Sequence, residues 1–139
     1  MKKMLQDIAA SAARFADRSA VIDANSFDVT YAELARLSDA IAAKLVARGA
    51  KPGASLAYLG PNGTEHIVTF LACLKAGVNH VPINRGFPDD MKRRILTTLD
   101  ADIIMAPKND AASLSKAVQI DIPTRADIPP LGHPAFTPA

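Results

Sequence analysis

Apolar and polar residues alternate along this chain with a period that switches repeatedly between helical and extended. Met4, Leu5, Ile8, Ala12 and Phe15 keep helical spacing, which predicts an amphipathic helix over residues 3–16 that packs on the body of the domain. Residues 20–24 and 27–30 are short β-prone runs separated by Asn25-Ser26, the pattern of a hairpin. Thr30-Tyr31-Ala32-Glu33 is a capping box: the threonine hydroxyl can accept an amide hydrogen bond while the glutamate reaches back. The helix it opens carries Leu34, Leu37, Ile41 and Leu45 on one face. Arg36, Asp39, Ala43 and Ala47 lie on the other, and Gly49 stops it.

Lys51-Pro52-Gly53 is a turn, residues 55–59 form a strand, and Gly60-Pro61-Asn62-Gly63 leads into a helix over 64–76 with Asn62 as its expected cap. Ile67, Val68, Phe70, Leu71 and Leu74 surround most of that helix, so cover on more than one side is expected. Residues 74–84, LKAGVNHVPIN, compress the helix end, a glycine stop at Gly77, a strand over 78–83 and a polar turn into one step. Pro82 confines that strand to an edge or places the proline at its end. Pro88 suits a first helical position, with Asp89 and Asp90 in the first turn. Met91, Ile95, Leu96 and Leu99 are the expected buried face, with Lys92, Arg93 and Arg94 outside. Residues 102–106 are a further strand, 110–117 a short helix and 118–122 a last strand. The fold class that follows is α/β: a three-layer, mostly parallel sheet of about four strands with helices on both faces, plus an N-terminal helix and a short β-hairpin. Five of the ten prolines fall after residue 122. Residues 1–122 are therefore expected to form the domain and 123–139 a proline-rich linker or tail.

Composition narrows the function classes. The chain has 139 residues, 49% apolar, and a net charge of +2 with both signs interleaved. That suits one globular domain and gives no basic stripe for nucleic acid. Cys73 is the single cysteine, which excludes an internal disulfide and a cysteine-cluster metal site; inside an apolar helix it reads as a small buried hydrophobe. With no signal peptide or spanning segment in the pattern, a cytoplasmic protein without a membrane partner is expected.

Candidate chemistry is sparse. GPNGTEH sits between a strand and a helix, where backbone amides attract phosphate. It matches neither GxxxxGK[ST] nor GxGxxG, and Glu65 puts negative charge where a phosphate would sit. His66, His80 and His133 share no metal-ligand spacing. His66 is expected to be an exposed first-turn residue. His80 is expected to pack in a strand, near the end where α/β sheets place ligands. No nucleophile elbow, metalloprotease motif or carboxylate pair with acid/base spacing is present. The expectation is no catalytic residue and no metal ligand.

Taken together, the segment from Val29 to Asp90 resembles the amino-terminal part of the adenylate-forming, AMP-binding family. That family includes acyl- and aryl-CoA ligases, nonribosomal peptide synthetase adenylation domains and luciferases. Its TYxEL motif stands here as Thr30, Tyr31, Ala32, Glu33 and Leu34. Its LKAGxxYVPID motif stands as Leu74 through Asn84, with His80 in place of tyrosine and Asn84 in place of aspartate. The intervening glycine- and proline-containing pattern runs from Gly49 to Glu65. The similarity covers about residues 5 to 125, and Arg85-Gly86 replaces the usual proline-containing turn. These departures point toward aryl- or acyl-activating relatives.

The resemblance implies ATP-dependent, AMP-forming activation of a carboxylic acid, followed by transfer to the thiol of CoA or of a carrier protein, with ATP and Mg²⁺ as cofactors of the complete enzyme. The family's phosphate loop, TSGTTGxPK, does not occur in these 139 residues. The expectation is an amino-terminal portion, truncated before that loop, without cofactor and inactive alone, that self-associates as a dimer. The resemblance also implies that Arg85, Gly86 and Phe87 form a turn on the CoA side of the site, where the arginine could meet a phosphate. Two other readings stand beside this one: a non-catalytic binding or assembly module with the same fold, and a small nucleotide-binding α/β protein that uses the loop at residues 60–63.

Overall fold

The computed structural model describes residues 2–107 and 117–137. The helix expected over 110–117 falls almost wholly outside them. Helix α1 (Lys2–Arg14) is followed by a small antiparallel pair, β1 (Ser19–Val21) and β2 (Val29–Thr30), shorter than the two expected runs. Helix α2 (Tyr31–Ala47) begins with the expected capping box. Glu33 N–H donates to Thr30 Oγ1 at 3.1 Å, and Thr30 N–H donates to Glu33 Oε1 at 3.0 Å. The box satisfies orphan amides that every helix start leaves. Gly49, at φ 100, takes the left-handed conformation just past the end of α2.

Strands β3 (Ser55–Tyr58), β4 (Asn79–Pro82), β5 (Ile103–Met105) and β6 (Val118–Ile120) form a four-stranded parallel sheet in the order β4-β3-β5-β6. Between them run α3 (Thr64–Ala76) and α4 (Asp89–Leu99). Gly77, at φ 71, ends α3 and turns the chain into β4, as LKAG predicts. Pro82 lies on the edge strand, where a missing N–H costs no ladder bond.

Alternation along the strands separates two cores. Leu56, Tyr58, Ile103, Met105 and Ile120 face α2 and α3, joining Leu37, Ile41, Leu45, Val68 and Ala72. Ala57, Leu59, Ile83, Ile104 and Ala106 face the opposite way and meet Leu96 of α4. This is the expected three-layer α/β architecture. Cys73 is buried in the first core, and burial pushes its thiol up to about 12, which makes it inert packing material.

Several faces differ from expectation. Helix α3 is covered on two sides, by α2 and the sheet, as expected, but its Ile67 and Phe70 stay 41% and 43% exposed. Met91 is likewise exposed, leaving Leu96 as the anchor of α4. Arg36 and Asp39 are half-buried rather than solvated. Arg36 Nε donates to Pro129 O at 3.0 Å, and Asp39 pairs with Lys75 of α3 at 2.8 Å. Residues 123–137 lie along this first layer: Arg125 donates to Asp28 O and pairs with Glu33, while Ile128 and Phe136 pack on the core.

Candidate functional site

Neighbouring strands β3 and β4 send their following helices to opposite faces of the sheet, α3 to one core and α4 to the other. Where connections diverge in this way, a crevice opens beyond the carboxyl ends of the strands, and α/β proteins bind ligands there. Here it is a cleft of about 420 Å³ lined by Gly60, Pro61 and Asn62 after β3, and by Pro82, Ile83, Asn84 and Arg85 at the end of β4.

The two walls are built differently. On the β3 side, Tyr58 Oη donates to Pro61 O at 2.6 Å and holds the loop against the sheet. A Cβ on Gly60 would collide with the Tyr58 ring and with Ile122, so close packing requires glycine there. On the β4 side, Asn84 Oδ1 accepts from Gly86 N–H at 2.8 Å, a local turn an aspartate could also make. Arg85 therefore lines the cleft, and it has no hydrogen bond or ion pair to any described residue. Gly86 and Phe87 form the turn beyond it and do not line the cleft.

The amino terminus of α3 is occupied from within. Asn62 is not its cap; Gly63 holds that position and has no side chain. The capping acceptor comes from the hairpin, where Asp23 Oδ2 accepts from Thr64 N–H at 3.2 Å. Thr64 Oγ1 donates to Phe27 O at 2.6 Å, and Ser26 Oγ donates to Glu65, which is 5% exposed. A carboxylate and a buried glutamate thus stand at the helix end where a phosphate would need to bind.

Beneath the cleft lies an aromatic stack that spacing did not disclose. His66 is half-buried rather than exposed: its ring stacks on Tyr58 at 4.3 Å and lies 5.0 Å from His80. His80 packs between strand and helix as expected, with Phe70 edge-on at 5.7 Å. Burial lowers the affinity of both imidazoles for a proton, His80 to about 4. Burial likewise raises the Tyr58 phenol above its ordinary range. None of these three groups lines the cleft itself. No group of three or more metal-ligating side chains occurs among the described residues.

A smaller, more apolar space under α1, about 330 Å³, is lined by Met4, Ile8, Leu34 and Leu71 with Lys75 at its wall. Lys75 already donates to Ser38 Oγ at 2.6 Å and to Asp39 Oδ1 at 2.8 Å, so its ammonium is held by the protein itself. The chemistry points to the crevice instead.

The chain matches the family described as AMP-binding enzyme over residues 8–132. It belongs to that family. Oxalate–CoA ligase of Arabidopsis thaliana is 30% identical over 107 residues, covering 76% of this chain and 21% of the ligase. An artificially fused adenylation–PCP di-domain from Klebsiella oxytoca superposes with a TM-score of 0.75 at 26% identity, over 89% of this chain and 23% of that one. The nonribosomal peptide synthetase FmoA3 in its AMPPNP-bound form superposes with a TM-score of 0.80 at 25% identity, over 97% of this chain and 14% of that one. The chain spans between 2% and 22% of the length of the curated relatives it matches. Its relatives are peptide synthetases and CoA ligases, and it corresponds to part of their AMP-binding domain. No helix among the described residues is long and apolar enough to cross a membrane.

Proposed function

We propose that this chain is the amino-terminal scaffold of an ATP-dependent, AMP-forming carboxylate-activating ligase, and that it forms no acyl-adenylate by itself. In that reaction a carboxylate attacks the α-phosphorus of ATP, pyrophosphate leaves, and a thiol of CoA or a carrier protein then captures the acyl group. Charge develops on phosphoryl oxygens in the first step, which calls for Mg²⁺, a lysine and loop amides held in register. The observation that carries the reading is the content of the crevice. Its lining offers one cation, Arg85, and no acid, base or nucleophile. The other amide-rich position, the start of α3, is filled by Asp23.

Arg85 is proposed as the contact of this scaffold to an anionic group on the CoA side of the completed site. A guanidinium suits a phosphate because its donors form a planar fork. Self-association is proposed through a second copy of the chain at the exposed Ile67–Phe70 flank. Pro82 removes a donor from the neighbouring strand edge, so contact would run through side chains rather than an extended sheet.

Calorimetry with millimolar Mg·ATP and, separately, CoA tests these roles. The scaffold reading expects no saturable ATP binding, and weak CoA binding that is lost in Arg85→Ala. Saturable ATP binding by the 139-residue chain would instead favour a small nucleotide-binding protein. CoA binding unchanged in Arg85→Ala would remove the role given to Arg85.

A further inference from the structure

We propose that the Tyr58–His66–His80 stack is an acid-sensitive lock: it holds edge strand β4 and helix α3 against β3 beneath the crevice, and it loosens when the imidazoles take up protons. Three elements meet in it, Tyr58 from β3, His66 from α3 and His80 from β4, with ring centroids 4.3 to 6.0 Å apart. Phe70 of α3 closes the remaining side of His80. Both walls of the cleft rest on this stack. Tyr58 carries the hydroxyl that anchors Pro61, His66 sits in the first turn after that loop, and His80 precedes the lining residues Pro82 to Arg85.

The buried Nε2 of His80 has no hydrogen-bond partner. A neutral ring tolerates that position, whereas an imidazolium would have an unsatisfied donor there, against hydrocarbon and aromatic carbon. The charged and titratable groups facing the stack do not remove the cost. Glu65 of α3 favours a proton on His66, but the loss of hydration there acts the other way and is larger. Arg85 acts on Tyr58 and carries the wrong sign to welcome a second cation. A proton on His66 further disfavours one on His80.

The native state thus binds fewer protons at His80 than the unfolded chain, whose histidine titrates near 6.5. Stability must rise with pH across that interval. It is lost progressively as pH falls from 6.5 toward about 4, and no penalty is present above 6.5.

Proton NMR of the histidines over pH 4 to 8 reads the lock directly, with an unstructured histidine-containing peptide as reference. The His80 resonance is expected to titrate well below that of the peptide histidine. Over the same range the urea midpoint should fall more in the wild type than in His80→Tyr, which keeps an aromatic ring without the titration. Amide protection at Ile83 should drop at pH 5 relative to pH 7 while protection at Ile104 holds. Co-titration of His80 with the peptide histidine would overturn the proposal, and that readout needs no variant. Equal loss of midpoint in both proteins, or an unchanged Ile83 to Ile104 ratio, would overturn it too.

Discussion

Asp23 caps helix α3 from 41 residues away, its Oδ2 accepting the Thr64 amide while its Oδ1 accepts that of Asn25. One carboxylate therefore fixes the hairpin turn and satisfies a helix start that has no cap of its own. Replacing it with alanine is expected to lower stability by about 1 kcal/mol, the usual worth of a side-chain cap. Gly63→Ala should cost at least as much, because its Cβ would lie against both Asp23 Oδ2 and Glu65 Oε1. Urea unfolding of the two variants measures both.

Thr30→Ala removes one arm of the capping box on α2 and should also cost about 1 kcal/mol. The same box sets an acid limb. The Thr30 amide, followed by Arg125 at longer range, holds the Glu33 carboxyl below its ordinary 4.5 despite some burial. A depressed carboxyl contributes stability above its unfolded value that is lost as pH falls below it. The loss should begin near pH 4.5, below the onset expected from His80, and Glu33→Gln should flatten only that lower limb.

Lys75 and Asp39 form a mostly buried ion pair between α2 and α3, with side chains 17% and 18% exposed. Lys75→Met leaves the Asp39 carboxylate without its cation and should cost roughly 2 kcal/mol, short of a fully buried pair because some water reaches it. Adding Asp39→Leu should restore part of that loss. A double-mutant cycle by urea unfolding gives the coupling.

Static light scattering tests the exposed flank of α3. The wild type should show a concentration-dependent dimer, and Ile67→Glu should shift it toward monomer while changing the unfolding free energy by no more than about 0.5 kcal/mol. A wild type that stays monomeric at high concentration removes the role given to Ile67 and Phe70.

Local chemistry was legible in the residues, and long-range partnership was not. Thr30 and Glu33 lie three apart and Gly77 directly ends its helix, so each motif contains its own explanation. Asp23 is invisible as the cap of α3 until the hairpin is folded onto the loop, and Asn62, nearer in sequence, looked better placed. His66 reads as a polar first-turn residue until β3 and β4 are known to be neighbours, which brings Tyr58 and His80 beneath it. The apolar girth of α3 could not reveal that one flank lacks cover. The crevice depends on strand order, since only β4 beside β3 makes their connections diverge. Arg85 was singled out by resemblance, and the fold puts it on the wall of that crevice.

We propose that these residues supply the scaffold of an adenylate-forming domain and not its catalysis. ATP–pyrophosphate exchange by the purified 139-residue chain, assayed with Mg²⁺ and a panel of aryl, acyl and amino acids, tests it most directly. Exchange no greater than in the absence of protein is expected for every acid. Acid-dependent exchange that copurifies with the chain would contradict it, and would mean that an active site assembles from these residues alone.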